Sequence, residues 1–432
     1  MPRAVLTLFA FIAAWPAVDA NAASVESQAH ALEQKLIAWR RDIHAHPELS
    51  NREFRTSKLV ADHLRSLGLE VKTDIAHTGV AGFLKGGRSG PVVALRADMD
   101  ALPVSEQTDL PFASKATGEY EGNTTGVMHA CGHDAHTAIL MATAELLSQR
   151  KDTLPGSVLF IFQPAEEGAP GDEEGGAELM LQEGLFEWKK PEVVFGLHVF
   201  STINAGRIGY RAGPAMAASD KFDILVQGEQ THGSRPWGGV DPVTAAAQIV
   251  LGLQTVASRQ VDVASAPVII SVGSIHGGIR NNIIPDSVKL VGTIRTFDDA
   301  IQADVHNRVT TTAANIASAA GATAEVKIDK GYPVTVNDPD LVAATLPSLQ
   351  KVVGEQDLYE VPLVTGAEDF SYFAQRVPGF YFFLGATPRG QDPAKAPSNH
   401  SPKFFLDEST LVVGLEALTT VALDYMERGA AR

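Results

Sequence analysis

The chain is poor in cysteine, in basic residues and in long apolar runs. Cys131 is the single cysteine among 432 residues, so no disulfide forms within the chain. Exported proteins often rely on disulfides; this one must be held by its core. Lysine and arginine number 35 against 51 aspartates and glutamates, which gives a net charge of −16. That balance leaves no electrostatic footprint for nucleic acid and is repelled by anionic lipid. Beyond the first two dozen residues no apolar run reaches the ~20 residues of a membrane span. Apolar residues make up 45% and charged residues 20%, which excludes a disordered chain or a coiled coil. At about 150 residues per domain, two or three domains are expected.

The N-terminus has the pattern of a secretory signal. Arg3 supplies the positive start. Ala4 to Ala14 form a short apolar stretch, and small residues follow at Val18-Asp19-Ala20 and Ala20-Asn21-Ala22. Residues 1–23 are therefore set apart from the fold, and a periplasmic or secreted location is expected. A lone thiol outside the cytosol is an oxidation risk. Here it stands in His129-Ala130-Cys131-Gly132-His133-Asp134-Ala135-His136, surroundings that favour a metal thiolate over an inert buried cysteine.

Residues 27–68 carry a helical pattern, with Leu32, Leu36 and Ile37 and then Leu59, Val60, Leu64 and Leu67 at three- to four-residue spacing. Three unbroken apolar runs follow, Val92–Leu95, Val158–Phe162 and Val193–Leu197, with a helical face over Thr137–Ser148 between the first two. Such runs read as buried strands of a mostly parallel sheet. Residues 219–330 change rhythm to β-α-β-β-α-β: strands at Asp220–Gln227, Val268–Ser274, Ser287–Arg295 and Ala324–Lys330, helices at Pro242–Ser258 and Asp299–Ala319. That order is the split, ferredoxin-like plan. The expected fold is therefore α/β: a mostly parallel-sheet catalytic domain over 24–218 and 331–432, with an inserted α+β satellite over 219–330.

Each of the three parallel-sheet strands ends in residues able to bind metal: Asp98-Met99-Asp100, Gln163 to Gly168 with Glu166-Glu167, and His198. Ligands in open α/β sheets bind beyond the carboxyl ends of strands. Cys131 and His133 add to the set, as does His400, fixed in the turn Pro397-Ser398-Asn399-His400-Ser401-Pro402. Mixed sulfur, nitrogen and oxygen donors suit zinc, and also manganese, cobalt or nickel; calcium prefers oxygen alone. Five such ligands exceed one tetrahedral ion and suit two ions sharing a bridge. The adjacent Glu166 and Glu167 point in different directions in an extended turn. One can serve a metal while the other moves a proton. Asp172-Glu173-Glu174 reads as a solvated acidic loop.

In order, the motifs are Arg40-Arg41-Asp42-Ile43-His44 with Pro47-Glu48-Leu49, then Arg96 to Pro103 (RADMDALP) and Met128 to Asp134 (MHACGHD). Next come Gln163 to Gly168 (QPAEEG), Gly196-Leu197-His198 and His232 to Pro236 (HGSRP). Asn282 to Pro285 (NIIP), Gly366 to Phe370 (GAEDF) and Asn399 to Pro402 (NHSP) complete the set. This ordered set, across residues 30–425, resembles the metallo-aminoacylase and carboxypeptidase group. That group comprises N-acyl-amino-acid amidohydrolases, hippurate hydrolases, auxin-conjugate hydrolases and, more distantly, carboxypeptidase G. The resemblance implies that Cys131, His133, Glu167, His198 and His400 are metal ligands and that Glu166 is the general base and then acid. It further implies that His232 holds the oxyanion, often from the partner subunit of a dimer, and that Asn282 and Arg295 grip the substrate's carboxylate or amide.

Asp98 stands where carboxypeptidase relatives have a metal-binding histidine, which points to the cysteine-ligand branch. Asp100 is expected to orient a ligand histidine, and His44 and His46 to be structural. Thr231 replaces a usual alanine. Arg280 and Asn281 replace small or apolar residues beside Asn282. The expected activity is hydrolysis of N-acyl amino acids by a homodimer or higher oligomer carrying two divalent metals. Carboxypeptidase or dipeptidase action is the nearest alternative, and a non-catalytic exported binding protein a more distant one.

Overall fold

The computed structural model describes residues 24–430; the signal-like segment 1–23 lies outside the described residues. The helical pattern at the start becomes two helices, Val25–Ala45 and Phe54–Ser66. The break falls at His46-Pro47, where proline disfavours helical backbone in the residue before it; His46 leaves the helical region at φ −132° and ψ 55°.

The large sheet has eight strands. Its order is Glu70–Ile75, Gly79–Lys85, Pro155–Gln163, Arg88–Asp98, Val193–Asn204, Gly379–Thr387, Ile208–Tyr210 and Leu358–Glu360. Arg88–Asp98 runs parallel to Pro155–Gln163 and to Val193–Asn204, and Gly379–Thr387 runs parallel to Val193–Asn204. The strand carrying His198 does not end there, as the sequence pattern implied. It continues to Asn204 because Leu197, His198 and Val199 still pair with Phe382, Phe383 and Leu384.

Helices cover both faces, as an all-buried parallel centre requires. One core gathers Leu36, Ile43, Ile139, Leu140, Phe160, Phe195, Leu415 and Leu418, and the other Ile161, Met180, Phe370, Phe373 and Tyr381. The C-terminal helix Ser409–Ala430 is long and apolar enough to cross a membrane, yet most of it is buried in the core of this sheet.

A separate four-stranded antiparallel sheet is ordered Ile269–Gly277, Ser287–Thr296, Ala218–Gln227 and Thr323–Lys330. Helices Pro242–Thr255 and Asp299–Ala319 bury Phe222, Ile249, Leu253, Leu290, Val305 and Val309 against it. Asp241 and Asp298 cap these helices through their side chains, the ordinary use of aspartate at a helix start.

The helix expected over Thr137–Ser148 starts earlier, at His133. Gly132 sits before it at φ 93°, where an added Cβ would lie 2.3 Å from a methyl of Val199. The polar residues of the motif thus enter the first helical turn, with Asp134 near the positive end of the helix dipole. Gly132→Ala forces a left-handed alanine, costing about 1–2 kcal/mol, and a clash as well. Its melting temperature is expected to fall by several degrees, with loss of metal binding because Cys131 and His133 flank the distorted residue. A variant with native melting and metal content would contradict this.

Candidate metal centre and active site

Three loops and one strand converge beyond the sheet. Cys131 Sγ lies 3.4 Å from His198 Nε2 and 3.2 Å from His400 Nε2. His400 Nε2 is also 3.2 Å from Glu167 Oε1, and His133 Nε2 is 3.9 Å from carboxylate oxygens of both Glu166 and Glu167. Cys131 belongs to two groups of potential ligands whose donor atoms lie within 4.8 Å of one another, one with His133 and His198, one with Glu167 and His400. All five residues expected as ligands therefore share one place.

The other ring nitrogens of His133 and His198 are engaged by backbone carbonyls, which turns their Nε2 atoms toward the cluster. His133 Nδ1 donates to the Asp100 carbonyl at 2.9 Å, and His198 Nδ1 to the Val199 carbonyl at 2.8 Å. Among the described residues, the buried Glu167 Oε1 faces the His400 ring nitrogen at 3.2 Å, and His133 Nε2 is buried without a hydrogen-bond partner. Such an orphan carries a desolvation cost that a bound cation removes. His136 also falls in a possible ligand group, with Asp98 and His133. Both its nitrogens are already engaged, however: Nδ1 with Asp98 Oδ1 at 2.6 Å, and Nε2 as acceptor of the Val199 amide at 2.9 Å. It positions Asp98 and the His198 strand. Among the described residues His129 joins no ligand group, and burial lowers it to about 3, so its ring is neutral.

Charge makes the same case. Asp98, Asp100, Glu166, Glu368 and Asp369 are all buried here, with Arg96 as the one arginine among them. Burial works to lower His133, but Asp98 and Asp100 outweigh it and raise the imidazole to about 10. Burial, then Glu167 and Glu166, push the Cys131 thiol well above its usual range. Buried carboxylates outnumber the cationic groups here, and divalent cations on these donors would balance them.

Asp100 does more than orient His133. Its two oxygens accept the amides of Glu166 at 3.1 Å and Glu167 at 3.0 Å, and Oδ2 accepts the Ser50 hydroxyl at 2.8 Å. Glu53, which the sequence did not single out, accepts the Ala165 amide at 2.9 Å and so holds the left-handed turn before Glu166. Asp100→Asn puts an amide donor where an acceptor is needed. Metal affinity is expected to fall about 10–100-fold, the usual cost of losing such a supporting group, by competitive chelator titration. Unchanged affinity would remove Asp100 from this role.

Asn399 ties the ligand loops together: its amide donates to the Cys131 and Val199 carbonyls, and its oxygen accepts the Ser201 amide. His400 is held beside it at φ 70°, with its own amide on the Ala130 carbonyl. His44 is buried between Asp134 and Glu106, and His46 bonds the Asp42 carbonyl at the end of its helix. Asp172, Glu173 and Glu174 are exposed.

His232, Asn282 and Arg295 lie elsewhere. His232 pairs with Ile283 in a two-residue ladder, and the Gly233 amide donates to the Asn282 carbonyl at 2.8 Å. Arg295 is half-buried on the four-stranded sheet. Among the described residues, none of the three has a hydrogen bond or ion pair to the Cys131 cluster. Ser234 donates its amide to His232 Nδ1 at 3.0 Å, so Nδ1 is an acceptor and the ring's donor hydrogen belongs to Nε2 on this exposed side chain. Arg280 and His276 are exposed.

The model of Peptidase family M20/M25/M40 matches residues 94–424, which include every member of the Cys131 cluster. The chain belongs to that family. It is 41% identical over 399 residues to Thermostable carboxypeptidase 1 of Saccharolobus solfataricus, covering 92% of this chain and 97% of the relative. It is 37% identical over 404 residues to N-acetylcysteine deacetylase of Bacillus subtilis, covering 92% and 98%. Among solved structures it is similar to the Bacillus subtilis YXEP protein, described as a dinuclear metal-binding peptidase. That match has a TM-score of 0.75 and 35% identity, over 92% of this chain and 99% of that one. The chain is thus a metal-dependent hydrolase with the mixed α/β fold of the family.

Proposed function

We propose that this hydrolase is an exported amidohydrolase that cleaves the amide bond of N-acyl amino acids, releasing a free amino acid and a carboxylic acid. The observation that carries the reading is the division of labour between Glu166 and Glu167. Glu167 faces His400 and Cys131. Glu166 is buried, accepts no hydrogen bond on its carboxylate among the described residues, and is held well above the usual carboxylate range by burial and then by Glu368. A carboxylate so placed is suited to take and return a proton.

Two divalent ions held by Cys131, His133, Glu167, His198 and His400, with manganese or zinc favoured over cobalt or nickel, would polarise the amide carbonyl and lower the pKa of a coordinated water toward about 7. Glu166 accepts the proton from the attacking water and delivers it to the leaving nitrogen. The Nε2–H of His232 serves as an oxyanion donor, and Asn282 and Arg295 grip the amino-acid end, a guanidinium fork matching a carboxylate. The separation of these three from the Cys131 cluster, together with the exposed Trp237 at 77% and Ile279 at 94%, supports a homodimer in which this surface meets the partner. Export rests on the N-terminal signal pattern.

The carboxypeptidase relative favours a second reading, peptide cleavage from the carboxyl end. Metal-stripped protein assayed on N-acetyl and N-benzoyl amino acids, and on the matching free dipeptides, with manganese, zinc, cobalt or nickel restored, separates the two. Turnover of the N-acyl compounds, abolished by chelation and restored by metal, is expected. Preference for substrates with a free α-amino group would favour the dipeptidase alternative.

A further inference from the structure

Beside the metal centre lies a cavity of about 130 Å³. It is lined by Leu49, Leu102, Pro103, Pro170 and Tyr120, and by Glu167 of the metal-facing cluster. Tyr120 is carried on the hairpin Thr117–Tyr120 and Asn123–Gly126, whose turn at Glu121-Gly122 uses left-handed backbone at φ 49° and 75°. The hairpin is seated on the cavity wall, since Gly118 lies against Leu49 so closely that a Cβ there would be 3.0 Å from its side chain.

The charges around this cavity are either spent or negative. Arg52 has its fork on Glu173, at 2.5 and 3.0 Å. The Ser50 hydroxyl is donated to Asp100. Glu119 and Glu167 are the acidic side chains of the lining, and among the described residues no cation is paired to Glu119. A ligand carboxylate would therefore be repelled, whereas a neutral apolar group meets leucine, proline and tyrosine surface. The volume is close to that of an apolar cavity of about 150 Å³ that accepts benzene.

We propose that this cavity is the acyl subsite, taking the side group of a neutral acyl chain of phenyl or short branched size and excluding dicarboxylic acyl groups. The inference rests on the N-acyl amino acid reading above. Because Glu167 lines the cavity and also belongs to the metal-facing cluster, an acyl group seated here would bring its carbonyl toward the residues that would hold the metals. The amino acid, with its carboxylate, then leaves the acidic cavity and runs toward other residues.

The test uses metal-loaded full-length enzyme and the N-acetyl, N-benzoyl and N-succinyl derivatives of one amino acid. The wild type is expected to show kcat/KM for the benzoyl compound at least tenfold above that for the succinyl compound. Leu102→Trp fills the cavity, and the benzoyl-to-acetyl ratio of kcat/KM is expected to fall at least tenfold, in the range by which apolar pockets discriminate. Tyr120→Ala, at an exposed hairpin tip where folding is not at stake, is expected to lower the same ratio about threefold to tenfold. An unmoved ratio in both variants, succinyl turnover equal to benzoyl, or a shift in preference among amino-acid side chains instead of acyl groups overturns the subsite while leaving the amidohydrolase reading standing. Failure of the wild type on every N-acyl compound, with metals bound, overturns that reading and this one with it.

Discussion

Glu166→Gln is expected to lower kcat by about 10²–10⁴-fold, the usual contribution of a positioned general base, while metal content and fold remain native. The reason lies in what Glu166 touches. Its carboxylate lies 3.9 Å from His133 Nε2 and falls in a possible ligand group with His133 and Glu167, but it shares no such group with Cys131, His198 or His400. The replacement keeps the shape of the side chain and removes only the capacity to carry a proton. Stability should hold or rise slightly. Burial and the Glu368, Glu167 and Asp369 carboxylates already oppose the charged form, and a neutral amide relieves that repulsion. Elemental analysis, a melting curve and kcat on an N-acyl amino acid, made on one preparation, decide the matter. Near-native kcat with full metal occupancy would give the base to another group. A large loss of metal would instead make Glu166 a ligand.

Much of this centre is legible in the sequence because the chemistry is concentrated in short motifs at strand ends. Cys131, His133, Glu167, His198 and His400 come from segments spread over most of the chain, yet each stands next to residues that only a metal site or an active site explains. The central strands are equally plain, since Val158–Phe162 and Val193–Leu197 are apolar without interruption. What escapes a linear reading is anything set by tertiary partners. The helix at His133 begins in polar residues with no apolar periodicity, and only Gly132 at φ 93° and the packing of Val199 show why. His198 appears to end a strand when the strand's later partner, Gly379–Thr387, lies far along the chain. Arg96, Gln163, Glu368 and Asp369 sit inside recognisable motifs, but nothing in their spacing says that they meet. The same holds for Asn399, whose clamp on two ligand segments depends on backbone atoms of Cys131 and Val199.

Arg96→Met is expected to cost about 3–5 kcal/mol of stability, the scale of breaking a buried charge pair by removing one partner. Arg96 is fully buried, and its fork reaches Asp98 Oδ2 at 2.6 Å, Glu368 Oε1 at 2.9 Å and Asp369 Oδ1 at 2.9 Å, with Nε on Gln163 at 2.8 Å. Methionine fills similar space but leaves three carboxylates without their cation. Lysine keeps the charge and cannot span these acceptors, so Arg96→Lys should recover only part of the loss. The pH dependence follows from Asp369. Burial raises it to about 8 even with Arg96 pulling the other way. A carboxylate raised in the folded state binds protons there that the unfolded chain does not. Its favourable contribution is present at low pH and is lost as pH rises from its ordinary value near 3.8 through about 8. Without Arg96 that window reaches higher, because a lowering influence is gone. Metal-stripped wild type and Arg96→Met, unfolded in denaturant at pH 6 and pH 9, should therefore differ more at pH 9. An equal difference at both pH values would mean that the carboxylates around Arg96 are relieved by water or rearrangement, and that the arginine acts through packing alone.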